Sequence, residues 1–229
     1  MTQQVRGVLL DIDGTLVNSN DAHAHSWVDA MEELGYHADF EKVRPLIGMG
    51  GDKVLPDVLG IQKDSEQGKK IEQRRKDIFK QKYLPTVKPF PKAKELLQRM
   101  HDDGLTLVVA TSSTPDELKS MLDIIGPHVQ DLMAQETTAK DAPKSKPNPQ
   151  VIDVAIQRSG HSASELLMLG DTPYDIESAA KASVKTVALR SGGWGDKDLS
   201  QAIAIYDNTA DLLEHYDESP FKQGIPVGA

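Results

Sequence analysis

The stretch VRGVLLDIDGTLV at residues 5–17 decides the fold of this chain, because a short apolar run ends abruptly in two acids. Similar apolar runs occur at residues 105–110, 166–169 and 184–189. Uninterrupted runs of aliphatic residues are typical of strands that are buried on both faces of a sheet. We therefore expect these runs to form one parallel sheet.

Helical patterns separate the apolar runs, at residues 91–103, 115–125, 149–159 and 173–182. Several of them begin with proline, which is tolerated in the first turn of a helix. Strands that alternate with helices predict right-handed crossovers and a parallel sheet. The predicted fold class is α/β, with a Rossmann-like core of three layers.

One long segment interrupts the alternation, because residues 18–86 contain no convincing strand. Residues 21–35 and 63–83 have helical patterns instead. A segment of this length is too long for a loop, so it predicts a small α-helical domain inserted after the first strand. The predicted core is then residues 1–17 and 87–229, and the helical domain is residues 18–86, with a proline-rich hinge at 85–91. We expect the last dozen residues to be a loose tail.

Composition excludes several classes of function. Lys and Arg total 26 against 35 Asp and Glu, so the net charge is −9, and neither nucleic acid nor a membrane is an expected partner. The absence of cysteine excludes disulfides, cysteine zinc sites and a thiol nucleophile. The short apolar run at the N-terminus does not fit a signal peptide, and no stretch approaches the roughly 18 apolar residues of a membrane span. We expect a cytoplasmic protein.

Carboxylates, hydroxyls and a lysine come directly after the predicted strands or just before a helix. They are Asp11, Asp13, Thr111, Ser112, Lys146, Asp171 and Asp175. The carboxyl ends of parallel strands meet at one edge of a sheet, so these side chains are predicted to converge there. Clustered carboxylates need a compensating cation, and oxygen ligands with substrate phosphate are typical of Mg²⁺ sites. The sequence therefore predicts a magnesium site.

The same residue types suffice for the hydrolysis of a phosphate ester. One carboxylate can attack phosphorus to give an aspartyl phosphate, and a second, two residues on, can protonate the leaving group. Hydroxyls and Lys146 can bind the phosphoryl oxygens and offset their charge.

These motifs, in this order, resemble those of the haloacid dehalogenase superfamily, in its phosphatase branch with an inserted helical cap. That branch includes phosphoglycolate phosphatases and beta-phosphoglucomutases, and the resemblance covers roughly residues 5–215. It implies that Asp11 is the nucleophile and Asp13 the general acid and base. It also implies phosphate binding by Thr111, Lys146 and the backbone N–H of Ser112. The implied metal ligands are Asp11, Asp13 through its backbone carbonyl, and Asp171, and Asp175 is implied either as a further ligand or as a residue that supports the ligands.

Signals in the helical segment are weaker. His23 with Trp27 is similar to a His and Trp pair seen early in many helical caps, and Gly48–Lys53 resembles a substrate-specificity loop. His23 and Lys53 are therefore candidate substrate contacts, although a solvated lysine is the simpler interpretation of Lys53. The run Arg74–Lys76 is interpreted as a solvated helical face, and Trp194 as a residue that borders the cleft.

The leading hypothesis is a Mg²⁺-dependent phosphatase that hydrolyses a small phosphorylated metabolite through an aspartyl phosphate, such as a sugar phosphate or phosphoglycolate, beneath a closing cap. One alternative is a sugar-phosphate phosphomutase, which uses the same intermediate and needs a second phosphate site. A remote alternative is a catalytically idle regulator that binds phosphate and metal.

Overall fold

The computed structural model describes residues 2–226 of the chain. Its strands are β1 (Thr2–Gln3), β2 (Gly7–Leu10), β3 (Val17–Asn18), β4 (Lys88–Pro89), β5 (Thr106–Ala110), β6 (Gln135–Thr137), β7 (Leu166–Gly170), β8 (Lys185–Leu189), β9 (Ala204–Tyr206) and β10 (Ile225–Pro226). Its α-helices are α1 (Asn20–Glu33), α2 (Phe40–Val43), α3 (Gly51–Leu59), α4 (Glu66–Ile78), α5 (Ala93–Asp102), α6 (Pro115–Ile125), α7 (Gln150–Ser159), α8 (Pro173–Lys181), α9 (Thr209–Glu214) and α10 (Pro220–Gln223).

Six strands form one parallel sheet in the order β6-β5-β2-β7-β8-β9. The prediction of an α/β core around a parallel sheet is confirmed. The four apolar runs of the sequence are its four inner strands, β5, β2, β7 and β8. The edge strands β6 and β9 were not predicted, because they are three residues long and mostly only partly buried, and so carry no apolar run.

Alternate residues of the inner strands pack against helices on opposite faces of the sheet. Leu9, Val108 and Met168 belong to one apolar cluster with residues of α7 and α8. Their neighbours Val8 and Leu10 belong to a second cluster with residues of α5 and α6. This alternation is the period-two geometry of a strand, and it gives the core its three layers.

The helical insertion, defined here as residues 20–86, has an apolar cluster of its own that includes Trp27, Met31, Leu55 and Ile71. The chain enters and leaves it through β3 and β4, which pair antiparallel with Val17 opposite Pro89. Helix α3 begins within the glycine-rich segment that was expected to be a loop. The division into domains at residues 18 and 86 stays a prediction.

The expectation of a loose C-terminal tail is wrong for the described part of that segment. Helix α10 buries Phe221, and β10 pairs with β1 while burying Ile225. Two isolated apolar residues in a polar stretch give no periodic signal, so tertiary packing alone determines this structure. Residues 227–229 lie outside the described residues. No helix of the described chain is long and apolar enough to cross a bilayer.

Candidate active site

The candidate active site lies at the carboxyl edge of the sheet, where the predicted residues come together. Asp11 directly follows β2 and its backbone N–H donates to the Leu169 carbonyl at 3.0 Å, which extends the pairing with β7 by one residue. The chain then turns at Gly14, whose φ of +82° lies in the left-handed region. Asp171 follows β7 in the same way. The two carboxylates are adjacent because their strands are paired.

Three buried carboxylates form a compact cluster at this edge. One ligand oxygen each from Asp11, Asp171 and Asp175 lies within 4.8 Å of the others. The fully buried Lys146 donates from Nζ to Asp11 Oδ1 at 2.6 Å and to Asp175 Oδ1 at 2.7 Å. When all three carboxylates are ionised, the one ammonium at this cluster leaves a net charge of −2. An all-oxygen donor set with this charge fits a hard divalent cation.

Electrostatics at the cluster also favour an added cation. Burial raises the pKa of Asp11 to about 7, against the lowering effect of the Lys146 charge. Burial raises the pKa of Asp171 well above its ordinary value, and the charges of Asp11 and Asp175 raise it further. Burial alone would lower the pKa of Lys146, but the same two carboxylates hold it above its ordinary value, so the lysine stays charged. Full ionisation of Asp11 and Asp171 near neutral pH therefore requires more positive charge than Lys146 supplies.

Asp13 directs its side chain away from that cluster. Its Oδ1 accepts hydrogen bonds from Ser19 Oγ at 2.5 Å and from His23 Nε2 at 2.8 Å, and its Oδ2 accepts from Ser113 Oγ at 2.7 Å. Burial would raise the pKa of Asp13, but His23 and the two hydroxyls hold it below its ordinary value. Its side chain is not part of the carboxylate cluster, so only its backbone carbonyl is left for the metal role predicted from the sequence.

Arg75 of α4 fixes which ring nitrogen of His23 accepts a hydrogen bond. Its Nη2 donates to His23 Nδ1 at 2.8 Å, and its Nη1 pairs with Glu117 of the core. A guanidinium can only donate, so Nδ1 is the unprotonated nitrogen and the ring hydrogen on Nε2 points to Asp13. The imidazole also stacks on Phe79, with ring centroids 4.1 Å apart. Residues of the helical insertion therefore hold the donor that faces Asp13.

The expectation that the run Arg74–Lys76 is a solvated face is wrong for Arg75. Its side chain is 11% exposed, and its guanidinium carbon lies 5.3 Å from the centroid of the Trp27 ring. Arg74 is 39% exposed and pairs with Glu33 on the outer side of the insertion. Successive helix positions point about 100° apart, so one charged run contributes both to the surface and to the interior.

Of the predicted phosphate-binding residues, Lys146 contacts Asp11, and Thr111 and Ser112 follow β5, the strand that pairs with β2. Thr111 is buried, and its Oγ1 accepts from the Ser113 N–H at 3.1 Å. Ser112 lies 3.5 Å from the Gly48 carbonyl of the helical insertion, measured from its Oγ. Thr114 forms a capping box at the start of α6. Thr111, Ser112 and Ser113 therefore do not cap the helix and are available to the active site.

A cavity of about 320 Å³ lies between the sheet edge and the helical insertion. Its lining includes Asp11, Asp13, His23, Trp27, Arg75, Thr111 and Ser112. Lys146, Asp171 and Asp175 are fully or almost fully buried and are outside this lining. Lys53 and Trp194 are also outside it. Trp194 instead packs edge-on against Tyr174, with ring centroids 6.1 Å apart.

Six residues of the site were not predicted from the sequence. They are Thr15, Ser19, Asn20, Arg75, Ser113 and Glu117. Thr15 lies two residues after Asp13, Ser113 directly follows Ser112, and Glu117 completes a Thr-x-x-Glu capping box that is visible in the sequence. Asn20 and Arg75 carry no such signal, because helical spacing alone does not say which face of a helix meets the core.

Comparison with known proteins identifies the family. The family of haloacid dehalogenase-like hydrolases matches residues 8–189, so the chain belongs to it. A phosphoglycolate phosphatase of Vibrio parahaemolyticus is 28% identical over 225 residues, which cover 93% of this chain and 97% of that relative. The prediction of a phosphatase of this superfamily is confirmed.

Solved structures show the same fold. A hydrolase from Pseudomonas syringae matches with a TM-score of 0.85 at 25% identity, over 93% of this chain and 98% of the other. The beta-phosphoglucomutase from Clostridium difficile matches with a TM-score of 0.79 over 96% of this chain and 98% of its own, at 16% identity. The second likeness concerns the fold alone.

Proposed function

We propose that this member of the haloacid dehalogenase-like hydrolase family is a Mg²⁺-dependent phosphatase that hydrolyses a small phosphomonoester through an aspartyl phosphate on Asp11. The observation that supports the proposal is that the carboxylates of Asp11 and Asp13 have different surroundings. Asp11 contacts a lysine and belongs to a carboxylate cluster that fits a dication, whereas Asp13 accepts hydrogen bonds from Ser19, His23 and Ser113 on the other side of the loop. Both carboxylates line the same cavity.

In the first step, a carboxylate oxygen of Asp11 attacks phosphorus, and the bond from phosphorus to the leaving-group oxygen breaks. That oxygen takes the proton of Asp13 and leaves as an alcohol. In the second step, Asp13 accepts a proton from water, the water oxygen attacks phosphorus, and the bond from phosphorus to Asp11 breaks to release phosphate. Asp11, Asp171, Asp175 and the Asp13 carbonyl would hold Mg²⁺, which supplies charge neutralisation of the phosphoryl oxygens.

The surroundings of Asp13 suit both of its proposed duties. The three hydrogen bonds favour the carboxylate, which is the form that accepts a proton from water. A phosphate dianion entering next to it adds a like charge, which raises a carboxyl pKa and favours the protonated form. Asp13 then carries a proton when the substrate is bound and loses it once the leaving group has departed.

The size of the cavity supports a small leaving group. A volume of about 320 Å³ holds a metabolite but not a protein chain, and the helical insertion covers it. Because the Vibrio parahaemolyticus relative is a phosphoglycolate phosphatase, 2-phosphoglycolate is our first choice of substrate.

A sugar-phosphate phosphomutase would need a second phosphate site across the cavity. The far wall offers Lys63 and Lys76, but both pair with Glu72, at 3.6 and 3.1 Å. This pairing reduces the positive charge available for a second phosphate, so it favours hydrolysis over mutase activity. The intact set of reactive groups gives no support to an idle regulator.

The test is phosphate release from 2-phosphoglycolate and from an aryl phosphate, with Mg²⁺ or with a chelator, for the wild type and Asp11→Asn. We expect release that requires Mg²⁺ and falls by at least about 10³-fold in the variant, as when a nucleophile is removed. Release that persists at the wild-type rate in Asp11→Asn would overturn the assignment of the nucleophile. A wild type that releases no phosphate, but interconverts phosphorylated sugars, would favour the mutase.

A further inference from the structure

We propose that Asn20 is a positioning residue of the metal site, which orients Asp171 and ties it to the first helix of the helical insertion. This inference rests on the proposed function, because it assumes that Asp171 ligates a divalent cation. Asn20 is 2% exposed, and its Nδ2 donates to Asp171 Oδ2 at 3.1 Å. The contact joins residues 151 positions apart in the chain.

The two oxygens of Asp171 are each held by one donor. Asn20 holds Oδ2, and Thr15 Oγ1 donates to Oδ1 at 2.7 Å while lying 3.1 Å from Asp11 Oδ2. Each carboxylate oxygen has two acceptor positions, so one position on each remains for a cation. A carboxylate fixed at both oxygens cannot rotate out of the geometry that a cation needs. Such contacts around a ligand are a general requirement for strong metal binding.

The backbone makes room for this contact from two sides. A Cβ at Gly14 would lie 2.1 Å from Asn20 Nδ2, and a Cβ at Gly192 would lie 1.9 Å from Asp171 Oδ2. Both distances are far inside van der Waals contact, so any other residue would displace the amide or the carboxylate. Two glycines from separate loops thus enclose one hydrogen bond.

The carbonyl oxygen of the Asn20 side chain, Oδ1, indicates that a further group binds at the site. Its Oδ1 is buried and has no hydrogen-bond partner within residues 2–226. A buried amide oxygen without a donor is unusual in proteins and calls for a water molecule or ion at the site. Because Nδ2 of the same amide touches Asp171, this acceptor lies next to the carboxylate cluster. It suits a donor such as an ordered water molecule at the site.

Asn20 also connects two parts of the molecule. It is the first residue of α1, the helix that brings His23 and Trp27 to the cavity, whereas Asp171 follows the core strand β7. A displacement of α1 would therefore move the donor on a metal ligand. If the position of α1 strengthens cation binding, thermodynamic linkage requires that the bound cation stabilises this position of α1 by the same free energy.

The experiment compares Asn20→Ala with the matched control Asn18→Ala, an exposed asparagine two residues earlier. Mg²⁺ binding is measured without substrate, by calorimetric titration and by the Mg²⁺-induced rise in Tm. We expect Asn18→Ala to match the wild type and Asn20→Ala to bind Mg²⁺ about 10- to 100-fold more weakly. In activity assays, the activation constant of Asn20→Ala for Mg²⁺ should rise by the same factor, while its kcat at saturating Mg²⁺ changes much less.

Asn20→Ser provides a second variant, because serine is too short to reach Asp171 but is well tolerated at the start of a helix. It should weaken Mg²⁺ binding as Asn20→Ala does. A dissociation constant within twofold of the wild type in either folded variant overturns the inference. So does an equal fall in Tm with and without Mg²⁺, which is the signature of a purely structural role. If the wild type itself binds no Mg²⁺, the metal part of the proposed function fails instead.

Discussion

The sheet edge and the helical insertion face each other across one cavity, but they contribute to it by different physical means. The sheet edge supplies side chains that directly follow strands, such as Asp11 and Asp171, and strand pairing alone brings them together. The insertion supplies His23 and Arg75 from two different helices, and only the packing of those helices places them at Asp13. We expect changes at the sheet edge to affect the reaction itself and changes in the insertion to affect its efficiency.

Among variants that leave the nucleophile Asp11 in place, the largest effect should come from Asp13→Asn, which keeps the shape of the side chain but removes its proton chemistry. We expect kcat to fall about 10²- to 10⁴-fold, the usual contribution of a general acid and base. Steady-state kinetics on 2-phosphoglycolate measures this, with the exposed Asp153→Asn as the control. A loss below tenfold would contradict the assignment of proton transfer to Asp13.

Lys146→Met tests whether charge compensation at the sheet edge matters for both activity and folding. The variant leaves Asp11 and Asp175 without their shared ammonium, so we expect kcat to fall by about 10²-fold or more. Removing one partner of a buried ion pair also costs about 3–5 kcal/mol, so the Mg²⁺-free protein should unfold at lower denaturant. Lys144→Met, an exposed lysine two residues away, should change the stability little. Equal stability of the two variants would contradict the account.

Arg75→Met tests how much the helical insertion contributes to the reaction. Without the guanidinium, His23 Nδ1 loses its hydrogen-bond donor and the pair with Glu117 is lost. We expect kcat/KM to fall about 10- to 100-fold, where each factor of ten corresponds to about 1.4 kcal/mol of lost transition-state stabilisation. Arg74→Met, at the neighbouring exposed position, should stay within twofold of the wild type. If both variants behave alike, the buried arrangement of Arg75 has no role in the reaction.

The same contrast explains how much the sequence could predict. Motif residues such as Asp11, Asp171 and Lys146 follow from the rule that parallel strands carry their ligands at one edge. Arg75 and Asn20 do not follow, because each lies on a helix whose rotation is fixed by packing that no local pattern encodes. Lys53 is a different case: Gly48 to Asp52 of the predicted substrate loop line the cavity, whereas the lysine is outside the lining, and its contact with substrate stays a prediction.

The pH dependence of Mg²⁺ binding provides a smaller, graded test of the sheet edge. Because burial raises the pKa of Asp11 from 3.8 to about 7, a proton competes with the cation below that pH. We expect Mg²⁺ affinity to fall about tenfold for each pH unit below 7, measured by calorimetric titration. Without Mg²⁺, the pKa of Asp11 is higher in the folded than in the unfolded protein, so its contribution to the free energy of unfolding is lost as pH rises from 3.8 to about 7. An acid whose pKa is lowered by a salt bridge shows the opposite dependence. An affinity that does not change with pH would contradict the assignment of Asp11 as a ligand.

The smallest effect is expected for Lys53→Ala. Because Lys53 is outside the cavity lining, its removal should change kcat/KM for 2-phosphoglycolate less than about twofold, as for surface substitutions in general. Comparison with Lys63→Ala, at a lysine that does line the cavity, makes the result informative. A larger loss for Lys53→Ala than for Lys63→Ala would mean that α3 moves to bring this lysine to the substrate.

Covalent phosphorylation of Asp11 during turnover can be tested by trapping the intermediate. The wild type with Mg²⁺ and 2-phosphoglycolate is quenched in acid during turnover, digested and examined by mass spectrometry. We predict that the peptide containing Asp11 gains the mass of one phosphoryl group, and that the gain is absent in Asp11→Asn and with a chelator. A phosphoryl group on any other residue, or rapid turnover with no modified peptide, would contradict the account.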